Sequence, residues 1–467
     1  MVFSSILFLL LFLPFFFLIY PLIPAKGKNL FALFGSLVFY AWGGPKFIGV
    51  ILGLLFIDYF IVSWMAKSAK PKIFLALSVA LNVGSLLYFK YANFFVDNVI
   101  HVFDIPMDWM EVALPIGISF YTFQKLSYTI DVYAKRNEPL KSMVDYFLYI
   151  MLFPQMIAGP IVRYQEIAGQ LKDRKEGMDD RIMGLFRFAI GLGKKVLIAN
   201  VLAQKADFVF SLNYADLSPG MAWLGLVFYA LQIYFDFAGY SDMAIGLGRM
   251  MGFRFPENFN NPYISQSISE FWRRWHITLG RWMKDYLYIP LGGSQVSSTF
   301  RLYFNLWIVF LVSGFWHGAS WNFLIWGAYH GLFLIADRLF LDKLGKYISK
   351  FGRIALTLFF TLLGWVFFRV TDFSDSLQFF ASLFGQTTGT IGVSISTKEM
   401  SVFALAMVFS LWYLIPTVKN KLDGILNLEK IGLRQMTLLV PVIIVCFYLS
   451  ISSLMNADFN PFIYFRF

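Results

Sequence analysis

Charged residues are scarce in this 467-residue sequence: Asp, Glu, Lys and Arg together make 14%, against about 25% in soluble domains. A water-soluble chain of this size would lack the polar groups to cover its surface, so a soluble globular domain is excluded. Disorder and a nucleic-acid-binding domain go with it, and no nucleic-acid partner is expected. The single cysteine, Cys446, lies in an apolar run. No intrachain disulfide or thiolate cluster can form, which leaves packing as its role. Histidine is nearly as rare, with four residues. No GxSxG elbow, P-loop, HExxH or CxxC occurs. The GLG triplets at 191–193 and 246–248 lack a dinucleotide-binding context. Neither histidine nor acidic spacing recommends a metal site, and none is expected.

What is abundant is apolar and aromatic: 58% hydrophobic residues, 20% Phe, Trp and Tyr, and a mean hydropathy of +0.64. Repeated apolar runs near 20 residues predict an all-α polytopic integral membrane protein in contact with lipid. A transmembrane barrel is excluded, because its strands alternate and give no such runs. The net charge of +11 is then read as Lys and Arg in cytoplasmic loops.

The basic residues form a ladder. The run MVFSSILFLLLFLPFFFLIYPLI has no basic n-region and no cleavage site, so it reads as a retained span. Lys26 and Lys28 after it put the N-terminus outside. Lys67, Lys70 and Lys72 mark an inside loop after a span at 46–66. Segment 92–111 holds Asp97, His101, Asp104, Asp108 and Glu111 without a Lys or Arg, and is placed outside. Lys135, Arg136 and Lys141 are inside, as are the eight cations from Arg163 to Lys195. The run 143–160 between them carries Pro154, Gln155, Gly159 and Pro160 and is expected to be re-entrant. Spans follow at 196–212 and 221–246, then a basic section 249–301. Short arms at 302–317 and 321–337 form a hairpin, and spans at 354–371, 401–417 and 436–455 leave the C-terminus outside. The total is about 11–12 transmembrane helices plus re-entrant and interfacial helices, in one integral membrane domain, 1–467, without internal repeats.

Polar residues at membrane depth are functional candidates. His317, in SGFWHGASWN, sits at the tip of the hairpin. It is roughly 24 Å of helical rise from Arg301, which would leave it within the bilayer. Burial would keep it neutral, as a general base requires; the alternative is a packed, hydrogen-bonded histidine. His276, in ISEFWRRWHITLGRWMKDYLYIPLGG, is interleaved with Trp and Arg. An interfacial helix explains the Trp and Arg. A cationic entrance in which Arg273 and Arg274 hold donor phosphates explains the histidine as well. His330 reads equally as a helix–helix hydrogen bond or a site residue, and His101 as a solvated loop residue. Asp236 and Asp242, beside Gly239, Tyr240 and Ser241, need partners, and Arg249, Arg254 or the Arg273–Arg274 pair are expected to supply them.

Several long segments carry a resemblance. They are PIGISFYTFQKLSYTIDVY at 115–133, FPQMIAGPIVRY at 153–164, DFAGYSDMAIGLGRMMGF at 236–253 and PENFNNPY at 256–263. EFWRRWHITLGRW at 270–282, FWHGASWNFLIWGAYHG at 315–331 and the terminal PFIYF at 461–465 complete the set. In these the chain resembles the membrane-bound O-acyltransferases, in their bacterial branch of alginate and peptidoglycan O-acetyltransferase membrane subunits. The resemblance implies helices around a central polar tunnel, with His317 as the essential catalytic residue and His276 as the second. It implies substrate or donor contacts at Arg273, Arg274, Trp316, Asn322, Tyr240 and Asp242. Acetyl-CoA is the expected donor, on the cytoplasmic side, with no bound cofactor. The expected acceptor is an exported SGNH-type acetyltransferase or similar protein outside the bacterial inner membrane, which would O-acetylate an alginate-like polysaccharide. His317 would take the hydroxyl proton or carry the acyl group, and His276 would orient the thioester or stabilise its oxyanion. The alternatives are D-alanyl transfer in teichoic acid modification and transport of a polar solute.

Overall fold

The computed structural model describes residues 2–105, 109–392, 394–426, 428–456 and 463. Asp108 and all of the terminal PFIYF except Ile463 lie outside the described residues. Among those described, the chain is helical, with one isolated bridge between Leu217 and Ile391 and no strand.

Among the described residues seven helices are long and apolar enough to cross a membrane: Pro45–Met65, Pro71–Phe103, Pro219–Met250, Thr299–His317, Trp321–Tyr347, Lys350–Arg369 and Leu433–Met455. Thr397–Leu414 and Pro416–Leu426, bent by 95°, bring the number to eight if the pair is one span. The number falls below the eleven or twelve expected because several apolar runs are not free-standing helices of that length. The first run gives only Phe8–Leu22. The run at 196–212 is the end of a continuous helical segment that starts at Met178 and carries charge.

The segment at 143–160 forms two short helices, Met143–Met151 and Phe153–Met156. Nine helical residues rise only about 13 Å, well short of a bilayer, and the backbone that follows is buried protein rather than lipid-facing chain. Its polar groups find partners there: Phe153 N donates to Ser36 Oγ, Tyr149 OH to Val162 O and Gln155 Nε2 to Tyr149 O.

The chain clusters into two compact units, Met1–Phe188 with Met243–Pro256, and Ala189–Asp242 with Glu257–Phe467. In the first unit, buried Asp58 organises three helices. Ser78 Oγ donates to it at 2.5 Å, Asn82 Nδ2 at 3.0 Å and Tyr146 OH at 2.6 Å. The helix Ile118–Tyr133, which carries the first long motif, is buried on nearly every face.

In the second unit every residue from Phe228 to Asp242 is buried. Here the two aspartates take partners other than those expected from sequence. Asp236 pairs with Lys195 at 2.6 Å and Asp242 with Lys194 at 2.6 Å, while Arg249 and Arg254, in the first unit, both pair with Asp180. The reason is a close helix approach. A Cβ on Gly239 would lie 2.7 Å from Gly191 O and 3.0 Å from Lys195 N, so only glycine lets the lysines reach the aspartates. Lys194 and Lys195 are therefore helix residues with partners, not loop cations.

The hairpin arms are also longer than expected. Thr299–His317 has 19 residues and Trp321–Tyr347 has 27, and both qualify as spans. The length of the arms therefore does not fix the depth of His317; its burial and neighbours define its setting.

Candidate active site

His317 ends the Thr299–His317 helix, and Ser320 caps the next, its Oγ accepting from Phe323 N. The arms pack tightly because Gly314 and Gly327 face each other: a Cβ on Gly314 would lie 3.0 Å from Gly327 Cα. The turn brings the imidazole into a box of aromatic rings. Its centroid is 5.1 Å from Trp316, 5.2 Å from Trp326 and 5.2 Å from Phe368. The residue is 5% exposed.

His276 joins the helices Ile268–Arg274 and Ile277–Met283 in the left-handed region, φ 43°, a conformation that costs a non-glycine residue energy and persists only where neighbours enforce it. Asn258 does so. Its backbone carbonyl accepts from Ile277 N, and its Oδ1 lies 3.0 Å from His276 Nδ1 and 2.8 Å from Thr278 Oγ1. His276 is buried, and that burial holds its pKa well below the usual imidazole value. It is therefore neutral at neutral pH. Its ring centroid lies 6.5 Å from that of His317, 6.4 Å from Trp316 and 4.7 Å from Phe237. At this separation one hydroxyl or carbonyl group can come within hydrogen-bonding reach of both imidazoles.

The other expected residues divide. Trp316 belongs to the histidine pair. Tyr240 is buried one residue from Ser241, whose Oγ accepts from Asn258 Nδ2. Asp242 is engaged by Lys194. Asn322 acts as a clamp, its Nδ2 donating to Val370 O, Asp372 O and Ser376 Oγ. Arg274 is held by Glu270 at 2.8 Å and donates to Asn260 O, whereas Arg273 is exposed. His330 is fully buried among Trp272, Trp326 and Tyr329. Neither of its ring nitrogens has a hydrogen-bond partner among the described residues, so the interhelical hydrogen bond is not made. No group of three or more His, Cys, Asp or Glu suited to a metal ion occurs among the described residues.

Sequence reasoning left Trp326, Phe237, Phe368 and Asn258 without a place in the site. Trp326 and Asn258 stand inside the long motifs; Phe368, in an ordinary apolar span, gives no signal in the sequence.

The sequence pattern of the membrane-bound O-acyltransferase family matches residues 124–371. The chain is 39% identical to the "Probable alginate O-acetylase AlgI" of Azotobacter vinelandii, over 100% of both chains. It is 37% identical to the peptidoglycan O-acetyltransferase of Helicobacter pylori, over 86% of this chain and 83% of that one. To the teichoic acid D-alanyltransferase of Bacillus subtilis it is 28% identical, over 48% of this chain and 59% of the relative.

Proposed function

Because the chain belongs to the membrane-bound O-acyltransferase family, and is thus a multi-pass membrane acyltransferase, we propose that it transfers acetyl from cytoplasmic acetyl-CoA to an acceptor outside. The acceptor side is an exported acetyltransferase of SGNH type or a similar protein, and the final product is an O-acetylated, alginate-like cell-surface or exopolysaccharide. The extent and identity of the match to O-acetylases, beside the half-chain match to a D-alanyltransferase, support acetyl as the acyl group. The bacterial inner membrane is the location, with the N-terminus outside as the charge ladder reads.

The observation that carries the mechanism is the buried pair of imidazoles, His317 and His276, with centroids 6.5 Å apart. The acceptor hydroxyl attacks the thioester carbonyl carbon. A C–O bond forms, the C–S bond breaks, and the hydroxyl proton passes to His317 and from it to the departing thiolate. The ring box of Trp316, Trp326 and Phe368 excludes water, which would otherwise compete as the nucleophile. Arg273, whose side chain is exposed, is the group suited to donor phosphates.

The test is a proteoliposome preparation of known orientation, with radiolabelled acetyl-CoA on one face and the exported protein fraction on the other. Label appearing in the exported fraction only when acetyl-CoA is on the cytoplasmic face supports the reading. Label transferred only when both share a face, or only from a D-alanyl carrier protein, overturns it.

A further inference from the structure

Asn258 and His276 are joined by a hydrogen bond whose direction can be worked out. Asn258 Oδ1 lies 3.4 Å from the backbone N–H of Thr278 and 2.8 Å from Thr278 Oγ1, and Asn258 Nδ2 donates to Ser241 Oγ at 3.0 Å. A backbone N–H can only donate, so the amide atom facing it is the oxygen, and the amide orientation follows from the network. An amide oxygen can only accept. His276 Nδ1, 3.0 Å away, must then carry the proton, and in a neutral ring Nε2 is bare. Nε2 is buried and has no hydrogen-bond partner among the described residues.

We propose that Asn258 is a positioning residue that locks His276 in the Nδ1–H tautomer, so that Nε2 serves the reaction as an acceptor of a proton or hydrogen bond and not as an oxyanion donor. The inference rests on the reading of His276 and His317 as the reacting pair. It also assigns the two histidines different work. A neutral His276 held this way has no proton at Nε2 for a developing oxyanion, so its part is to hold the attacking hydroxyl, or the N–H of the His317 imidazole, through a hydrogen bond that Nε2 accepts. The enforced left-handed backbone at His276 is consistent with this: Asn258 O fixes the peptide at Ile277 while Asn258 Oδ1 fixes the ring. One asparagine thus sets both the position and the tautomer.

The experiment uses the full chain in proteoliposomes, labelled with ¹⁵N-histidine. Only four histidines are present, and the His276 resonances are identified by their loss in His276→Gln. The wild type is expected to show the Nδ1–H form. Asn258→Ala should shift His276 toward the Nε2–H form and lower kcat for acetyl-CoA roughly 100-fold, with the apparent KM for acetyl-CoA changed by less than about threefold. Asn258→Asp, which keeps an acceptor facing Nδ1, should keep the tautomer and recover at least about a tenth of wild-type kcat. An Nε2–H ring in the wild type overturns the proposal. So does an Asn258→Asp enzyme with its tautomer intact but its turnover lost, a result that remains readable if Asn258→Ala fails to insert. Full activity in both His276→Gln and His317→Ala would instead defeat the site itself, and the tautomer signal would still report whether Asn258 holds the ring.

Discussion

Lys195 and Asp236 form an ion pair at 2.6 Å with both side chains almost wholly buried, and Asp236 also accepts the backbone N–H of Ile463 at 2.9 Å. Asp236 thereby fastens both Lys195 and the backbone of Ile463 to the buried helix that carries Phe237, the ring packed against His276. Removing one partner leaves an uncompensated buried charge, which costs about 3–5 kcal/mol. Lys195→Ala should lower the thermal midpoint in detergent markedly and reduce the amount of inserted protein. An unchanged midpoint would show that the pair adds no net stability.

His317→Ala should reduce acyl transfer at least roughly 100-fold while the protein remains inserted and monodisperse. The measurement is transfer of label from acetyl-CoA in vesicles, beside size-exclusion and thermal profiles of the same preparation. Retention of most of the activity would remove His317 from the proton-transfer step.

The two adjacent arginines should separate. Arg273→Glu should raise the apparent KM for acetyl-CoA more than it lowers kcat, since its side chain is exposed and suited to phosphate. Arg274→Glu should act on stability, because it breaks the pair with Glu270 and the bond to Asn260 O. Steady-state kinetics and thermal unfolding of each variant test this, and equal KM effects would mean that both arginines meet the donor.

His276 gives stability a pH dependence of known sign. Burial lowers its folded-state pKa below the ordinary value near 6.5, so under acidic conditions the unfolded chain binds a proton there that the folded chain does not. The contribution is complete above about pH 6.5 and is lost as pH falls below it, at up to about 1.4 kcal/mol per unit for one proton. Comparing wild type with His276→Asn from pH 7.5 to about pH 5 isolates the effect. The variant should show the shallower decline; parallel curves would place the His276 pKa in its ordinary range.

Sidedness is open to cysteine labelling in a Cys446→Ser background. Reagent from the cytoplasm should reach 170–180 and 343–350, and reagent from outside 104–105 and 372–376. Labelling of 104–105 from the cytoplasm would invert the ladder and with it the direction of acetyl transfer.

Composition alone determined that this chain is a helical membrane protein, because so few charges cannot solvate so many apolar residues and lipid admits only closed hydrogen-bonding schemes. The histidines at 276 and 317 stood out as candidates in the sequence because histidine is rare in this chain and these two fall inside long motifs. The break in the 143–160 run was legible from Pro154, Gly159 and Pro160, which fall where the helices Met143–Met151 and Phe153–Met156 give way to irregular backbone. Tertiary structure decided what depends on residues far apart in sequence. Lys194 and Lys195 read as loop cations by charge counting, yet Gly239 and Gly191 let their helix approach closely enough to give Asp242 and Asp236 their partners. Arg274 read as a phosphate ligand and Asn322 as a substrate or donor contact, whereas the fold sets Arg274 against Glu270 and Asn260 O and Asn322 Nδ2 against Val370 O, Asp372 O and Ser376 Oγ. Asn258 carried no charge and no periodicity to mark it, standing in a turn-rich stretch. Its hold on His276 exists only because the fold sets that turn against a left-handed kink eighteen residues away, and a hydrogen bond's direction is a property of the partners that surround it, not of the residue that makes it.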